Sequence, residues 1–357
     1  MKRLAVFLPN WIGDVVMATP AIRALRSHFA GFELVAVCKP YVSGMVDGSP
    51  WFDAIVPFDH RGTSEARFVG ALRALRRFRP EAAALFPNTF RAALLARIAG
   101  CRTAVGFARH GRDLLLTKRL YAERDSKGGF RPSPVMDDYN RIARTLGTPE
   151  PGHRMELFAT PNGEAAAEHF WKAAGLHRFA NIIGLNPGGA FGTSKHWPTA
   201  HFVEVARHFA GRGHGVLVLC GPAERDVSRE IAATANRSGV ATLADGPLSL
   251  DLTKSIVRRL RLLVTTDSGP RHIALAFGVP AVSLYGPTHR GWTITHSPID
   301  IAVQKTVPCG PCQLKVCPLD HRCMTELTPQ DAIRAAEQLL AAAAPRGEPV
   351  TEWRHAG

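Results

Sequence analysis

The sequence predicts an α/β protein built from two doubly wound parallel sheets, and three observations point there. Short apolar segments of strand length alternate with segments of helical periodicity, as they do when helices form the crossovers of a parallel sheet. The alternation breaks at a Gly/Pro/charge-rich stretch, residues 127–134, and restarts at residue 182. The chain has 357 residues, which suits two domains of roughly 150–180 residues.

The expected strands of the first half are residues 4–8, 33–37, 54–58, 82–86 and 103–106. Expected helices lie at 17–29, 68–78 and 92–99, and a further one at 137–146 ends at Gly147, a residue suited to a helix C-terminus. In the second half the strands are 182–186, 216–220, 241–243, 262–266 and 281–285. Helices 200–210, 225–238, 250–259 and 271–277 lie between them. The expected division is a first domain over 1–160 and a second over 161–328. An alanine-rich helix, 329–344, is expected to pack back across both domains, followed by a loose polar tail, 345–357. Two such halves bind ligands in the cleft between them, at the carboxyl ends of their strands.

Apolar residues make up 46% of the chain and mean hydropathy is −0.04, the balance of a globular protein with an ample core. No run of 18 apolar residues occurs, so no transmembrane helix is expected. The opening segment, Met1 to Leu8, reads as a first strand rather than a signal peptide, because Pro9, Asn10 and Asp14 follow at once. A cytoplasmic location is expected. The net charge is +14, and residues 61–131 hold 16 Lys+Arg against 5 Asp+Glu. Within them, residues 66–79 read as an amphipathic helix, with Phe68, Val69, Leu72 and Leu75 apolar and Arg73, Arg76 and Arg77 on the other side. Such a surplus fits either a solvated face or an acidic partner, whether an anionic lipid surface or a phosphorylated substrate. No aromatic-interleaved basic motif supports nucleic acid.

The residues with chemistry stand at strand ends. Residues 262–266 lead into Asp267-Ser268-Gly269-Pro270-Arg271-His272, where a strand meets a helix N-terminus. Unpaired N–H groups and the helix dipole make that turn an anion site. Ser268 adds a hydroxyl, Gly269 permits close approach, and Pro270 fits the first helical turn. After the first strand, Gly13 and Asp14 open a helix. Asp14 reads either as an N-cap or as a general base at the mouth of the cleft. Strand 182–186 is followed by a glycine-rich loop with Thr193, Ser194, Lys195 and His196, which matches neither the dinucleotide nor the Walker fingerprint. Lys195 reads as a phosphate partner or as a solvated lysine. Glu224, after strand 216–220, either steadies a helix N-terminus or accepts ribose hydroxyls.

Taken in order, Asn10-Trp11-Ile12-Gly13-Asp14 with Thr19-Pro20, Asn186-Pro187-Gly188-Gly189, Lys195-His196-Trp197-Pro198, Gly221-Pro222-Ala223-Glu224 and Thr266 to His272 resemble the ADP-heptose:lipopolysaccharide heptosyltransferases of glycosyltransferase family 9, most of all the type II enzymes. The resemblance spans roughly residues 4–340. It implies a GT-B fold and an inverting, metal-independent transfer of L-glycero-D-manno-heptose from ADP-heptose to the inner-core heptose of lipopolysaccharide. By that resemblance Asp14 is the base and Lys195 contacts the donor phosphate. Glu224 holds the ribose, Asp267 the heptose, and Ser268 with Gly269 the pyrophosphate. Thr193, Ser194, Arg271 and His272 join the donor site, Arg271 in a slot often filled by a small polar residue. The acceptor is an anionic lipid A-core glycolipid, which gives Arg73, Arg76 and Arg77 a partner at the cytoplasmic face of the inner membrane.

Four of the seven cysteines cluster as Cys309-x2-Cys312-x4-Cys317-x5-Cys323, a grouping compatible with structural zinc, an iron–sulfur cluster or reversible disulfides. Catalysis of the implied kind needs no cofactor. Two other functions fit the same residues. A nucleotide-sugar epimerase or hydrolase on this scaffold would turn over donor without acceptor. A metal-binding protein using its basic face would be indifferent to Asp14.

Overall fold

The computed structural model of the chain describes residues 2–126, 128–189 and 191–342. The first domain runs β1 (Arg3–Phe7), α1 (Ile12–Met17), α2 (Thr19–His28), β2 (Glu33–Cys38), α3 (Pro40–Ser43), β3 (Ala54–Pro57), α4 (Phe68–Phe78), β4 (Ala82–Leu85), α5 (Phe90–Ile98), β5 (Thr103–Phe107), β6 (Lys118–Leu120) and α6 (Val135–Thr145). The second runs α7 (Pro161–Ala173), β7 (Ile182–Asn186), α8 (Thr199–Gly211), β8 (Gly215–Val218), α9 (Arg225–Ala235), β9 (Val240–Thr242), α10 (Leu250–Arg259), β10 (Leu262–Thr266), α11 (Gly269–Ala276), β11 (Ala281–Tyr285), β12 (Asp300–Gln304), α12 (Arg322–Thr325) and α13 (Pro329–Ala342).

Each domain holds a six-stranded parallel sheet, ordered β3-β2-β1-β4-β5-β6 and β12-β11-β10-β7-β8-β9. Val6 lies between Ala36 and Ala84, and Val264 between Leu185 and Val282. Central strands are buried on both faces, which is why they read as continuous apolar runs. The order reverses at β1/β4 and at β7/β10, and ligands of doubly wound sheets bind outside the carboxyl ends of the strands at such points. Two GT-B halves facing one cleft are the architecture that the motifs implied.

Helix starts follow local chemistry. The hydroxyls of Thr89, Thr160 and Ser249 accept from Ala92, Gly163 and Leu252 N–H at 3.3, 3.0 and 3.0 Å, capping α5, α7 and α10. One apolar layer covers the α4–α5 side of the first sheet, through Ala71, Leu75, Ala92 and Leu95. A second packs Phe202, Phe209, Ala332 and Ala336 on the α8–α13 side of the second sheet. The third runs from one domain into the other, joining Val15 and Val16 of α1 to Ile273 and Ala274 of α11. Lys254 of α10 adds a polar tie, its Nζ donating to the Asp47 carbonyl at 3.0 Å.

Several expectations needed revision. The helix expected over 17–29 starts at Ile12 and breaks at Ala18, because Pro20 brings no N–H to the new helix and the Thr19 hydroxyl donates back to the Val16 carbonyl at 2.7 Å. In α4, Val69 is exposed, and the buried side is formed around Ala71 and Leu75. Helix α9 stops at Ala235 because Asn236 takes a left-handed φ of 47°. The final helix packs on α8, β10, β11 and β12 of the second sheet. It covers the open face of that sheet. Residues 343–344 and the tail 345–357 lie outside the described residues.

Candidate active site

The amino ends of α1 and α11 meet across the domain seam. A Cβ on Gly13 would lie 2.9 Å from His272 Cδ2, and one on Gly269 would lie 3.2 Å from Ile12 Cγ2. Both glycines are there because the helices touch. Two sets of unpaired N–H groups and two positive dipole ends therefore converge where the strands of both sheets end. Gly13→Ala should push the helices apart at a cost of about 1–3 kcal/mol and slow turnover. Thermal unfolding together with kcat checks this, and wild-type values for both would contradict the close packing.

Asp14 sits in the first turn of α1. Trp11 is the N-cap residue and makes no side-chain cap bond, so the reading of Asp14 as an N-cap is set aside. Burial, with the Asp267 charge adding to it and the Lys195 charge opposing it, raises the Asp14 carboxyl to about 6. A carboxylate tuned near neutrality suits proton abstraction.

Asp267 lies at the end of β10 in a dense polar cluster. Its Oδ2 accepts from Lys195 Nζ at 2.6 Å and from the Thr288 hydroxyl at 3.0 Å, and its Oδ1 accepts from the Thr293 hydroxyl at 3.2 Å. Lys195 Nζ also donates to the Asp267 carbonyl at 2.8 Å. Burial alone would raise the Asp267 carboxyl, but the Lys195 and Arg271 charges outweigh it and hold the group at about 2. Lys195 is only 8% exposed and keeps one of its three N–H donors uncommitted among the described residues. It is not the solvated loop lysine of the bland reading.

Arg271 is 2% exposed. Its Nη2 donates to Asp300 Oδ2 at 2.5 Å, and Ser283 and Thr295 hydroxyls donate to the same carboxylate at 2.7 and 2.9 Å. Its guanidinium is thus paired inside the second domain, and its Nη1 also reaches Asp267 Oδ1 at 3.5 Å. His272 is buried between the helices, and burial followed by the Arg271 charge lowers it to about 3, so the ring is neutral. Its Nδ1 is buried without a hydrogen-bond partner among the described residues. Ser194 is likewise turned inward, its hydroxyl donating to the Leu314 carbonyl at 2.5 Å, while Thr193 opens the 3-10 turn that carries Lys195. Ser268 caps α11 by position. Its hydroxyl is 3.0 Å from Asn186 Nδ2, which also donates to Thr265 Oγ1, so β7 and β10 fix the turn together. Glu224 Oε2 accepts from the Gly221 N–H at 2.9 Å. Its carboxyl group would lie 2.9 Å from a Cβ on Gly188, placing it between the ends of β7 and β8.

In the first domain, a pocket of about 160 Å³ opens at the strand ends, lined by Asn10, Lys39, His60 and Arg91 among others. Sequence reading missed Lys39, His60 and Arg91. The available signal was basic residues within a few positions of strand or helix ends. Asp300, Thr288 and Thr293 were also missed, because what they do depends on Arg271 and Asp267, which are distant in the chain. Arg73 and Arg77 are exposed on α4, while Arg76 donates to the Ile98 carbonyl at 3.2 Å. None of the three lines that pocket.

The cysteine segment buttresses the Lys195 loop. Ser194 N–H donates to the Lys315 carbonyl at 3.1 Å, His321 Nε2 bonds the Ser194 carbonyl at 2.6 Å, and Trp197 Nε1 donates to the Leu327 carbonyl at 2.7 Å. Cys309, Cys312, Cys317 and Cys323 line one small pocket as free thiols. Burial and the neighbouring cysteines raise Cys323 to about 11. Among the described residues, no three of these sulfurs lie mutually within 4.8 Å. A tetrahedral zinc site needs thiolates roughly 3.8 Å apart. As placed here, no three of the thiols are drawn in to that spacing, with Cys323 buried and Cys309 and Cys312 exposed.

Residues 70–322 match the family model described as glycosyltransferase family 9 (heptosyltransferase). The chain is 25% identical over 347 residues to lipooligosaccharide heptosyltransferase 2 of Campylobacter jejuni, covering 95% of this chain and 98% of that protein. It is 27% identical over 302 residues to lipopolysaccharide heptosyltransferase 2 of Escherichia coli K12, covering 82% and 84%. It superposes on the solved structure of E. coli ADP-heptose lps heptosyltransferase II with a TM-score of 0.77 at 23% identity, covering 96% of this chain and 99% of that one.

Proposed function

The chain belongs to glycosyltransferase family 9, the heptosyltransferases, and from that premise we propose that the α1–α11 seam is where heptose passes from a nucleotide diphosphate to an acceptor hydroxyl. The activity is transfer of heptose from ADP-heptose to the inner-core heptose of lipopolysaccharide, a reading supported by the relatives named heptosyltransferase 2 and by the likeness to an ADP-heptose lps heptosyltransferase II. The observation that carries the site assignment is the pairing of Asp14, a carboxylate raised to about 6, with a helix N-terminus and a buried lysine on the opposite domain.

Asp14 takes the proton of the attacking acceptor hydroxyl. The bond from the anomeric carbon to the β-phosphate oxygen breaks on the opposite face, and ADP departs with the electron pair. Negative charge growing on that oxygen meets the N–H groups at the start of α11 and the free N–H of Lys195, fixed before the reaction begins. This stabilisation requires no metal. Ser268 and Gly269 receive the pyrophosphate. Glu224 receives the ribose hydroxyls, its Oε1 having no partner among the described residues. The oxygens of Asp267 are already occupied, so its role is to aim Lys195, and the heptose hydroxyls fall to groups around it. The pocket beside Asn10 receives the acceptor, whose phosphates suit Lys39 and Arg91.

No helix among the described residues is long and apolar enough to cross a membrane. Arg73 and Arg77, with the surplus of basic residues around them, are the proposed contact with an anionic bilayer at the cytoplasmic face of the inner membrane. Neutralising Arg73, Arg76 and Arg77 should weaken binding to anionic vesicles severalfold; unchanged binding would remove that contact.

The test is ADP release from ADP-heptose with a panel of truncated lipid A cores. Release should require an acceptor that already carries one inner-core heptose. Equal release without acceptor would favour the hydrolase reading.

A further inference from the structure

Away from the catalytic seam, three side chains from three parts of the chain bring their ligand atoms to one point. Asp137 lies in the first turn of α6 on the first domain. His153 lies in the connection between α6 and α7, and His296 in the loop between β11 and β12 of the second domain. His153 Nε2 is 2.8 Å from Asp137 Oδ1, and His296 Nε2 is 3.8 Å from the same oxygen. One ligand atom from each residue lies within 4.8 Å of the other two. The two rings lie face against face, with centroids 4.0 Å apart and planes tilted by 34°. His296 adopts a left-handed φ of 55° to present its ring there, a conformation that non-glycine residues seldom take.

We propose that Asp137, His153 and His296 form a divalent transition-metal site that clips the two domains together. A tetrahedral ion with bonds near 2.1 Å sets its ligands roughly 3.4 Å apart, between the two separations observed. Two imidazoles and one carboxylate are the donor set of zinc and nickel rather than of magnesium or calcium, which take oxygen ligands. The Asp137 carboxylate lies nearer to His153 than to His296, 2.8 against 3.8 Å, so it does not serve the two rings equally. A divalent ion satisfies all three groups together. Each side chain is about two-fifths exposed, so an ion enters from solvent and fills its remaining positions with water. Because the ligands come from both domains, the ion favours the domain arrangement seen here over a more open one, in proportion to its differential affinity.

The proposal does not depend on the transfer chemistry, and its readouts are independent of activity. Chelator-treated full-length protein is titrated with Ni2+ by calorimetry and with Co2+ by absorption. Cobalt on nitrogen and oxygen ligands lacks the intense near-ultraviolet sulfur-to-metal band that the four cysteines would give. One ion per chain is expected, with weak visible bands, together with a rise in melting temperature. His153→Ala and His296→Asn should each weaken binding at least tenfold, and asparagine tolerates the left-handed backbone at 296. Metal-free melting of both variants should match the wild type. Unchanged Ni2+ affinity in His296→Asn, or a Co2+ spectrum carrying only the sulfur band, would overturn the site.

Discussion

Asp14→Asn is expected to abolish transfer while making the protein more stable at neutral pH. Loss of a general base costs 10²–10⁴-fold in kcat, while affinity for ADP-heptose should stay within about twofold, because the donor is held from α11. Stability moves the other way. The folded-state value of about 6 lies above the unfolded value of about 3.9, so the native state binds the proton more tightly. That contribution is fully present below pH ~4 and is lost as pH rises through about 6. At pH 8 the wild type holds a partly buried carboxylate at a cost of about 2 kcal/mol, after allowance for its remaining exposure. Asparagine removes that cost. Denaturant unfolding at pH 8 and pH 4 should show a gain for the variant at the first and near equality at the second. Wild-type turnover in the variant would dispose of the proposed base.

Asp267→Ala is expected to be the most destabilising single change in the site, at about 3–5 kcal/mol. It strands Lys195 without the acceptor at 2.6 Å and leaves the Thr288 hydroxyl without its own, while Thr293 keeps the Tyr285 hydroxyl at 2.7 Å. Arg271 keeps Asp300, so the loss centres on Lys195. Adding Lys195→Met should restore part of the stability, because a buried charge without a partner costs more than an apolar side chain of similar length. Neither variant should restore transfer. Urea unfolding of the single and double variants reads this, and a double variant no more stable than Asp267→Ala would show that the pair is not the source of the loss. The acid dependence has the opposite sign to that of Asp14. Asp267 is held at about 2, so its contribution is present above the unfolded value and disappears as pH falls through about 2.

Much of the architecture was legible because parallel strands buried on both faces leave apolar runs bounded by turns. Strands β1, β7, β10 and β11 were readable for that reason. Strand β6, Lys-Arg-Leu, was not, since an edge strand of three residues has no apolar signature. Helix α7 was passed over although Thr160-Pro161 and Glu164 form a start signal. Local placements were legible where the backbone itself sets them, as at Gly13 and Asp14 at the start of α1 and Ser268 and Gly269 at the start of α11. They were not where a charged side chain has to choose its partner. Whether Lys195 faces a ligand or Asp267, and whether Arg271 turns to solvent or to Asp300, depends on atoms far away in sequence. The cysteines show the same limit, because spacing brought four thiols to one pocket without bringing their sulfurs to one point.

The pH dependence of kcat/KM for the acceptor tests the central claim most directly. The account predicts an acid limb that falls with unit slope below about pH 6, where Asp14 gains its proton, and no such limb in the residual activity of Asp14→Asn. A profile flat from pH 5 to pH 8, or the same limb surviving in Asp14→Asn, would contradict it.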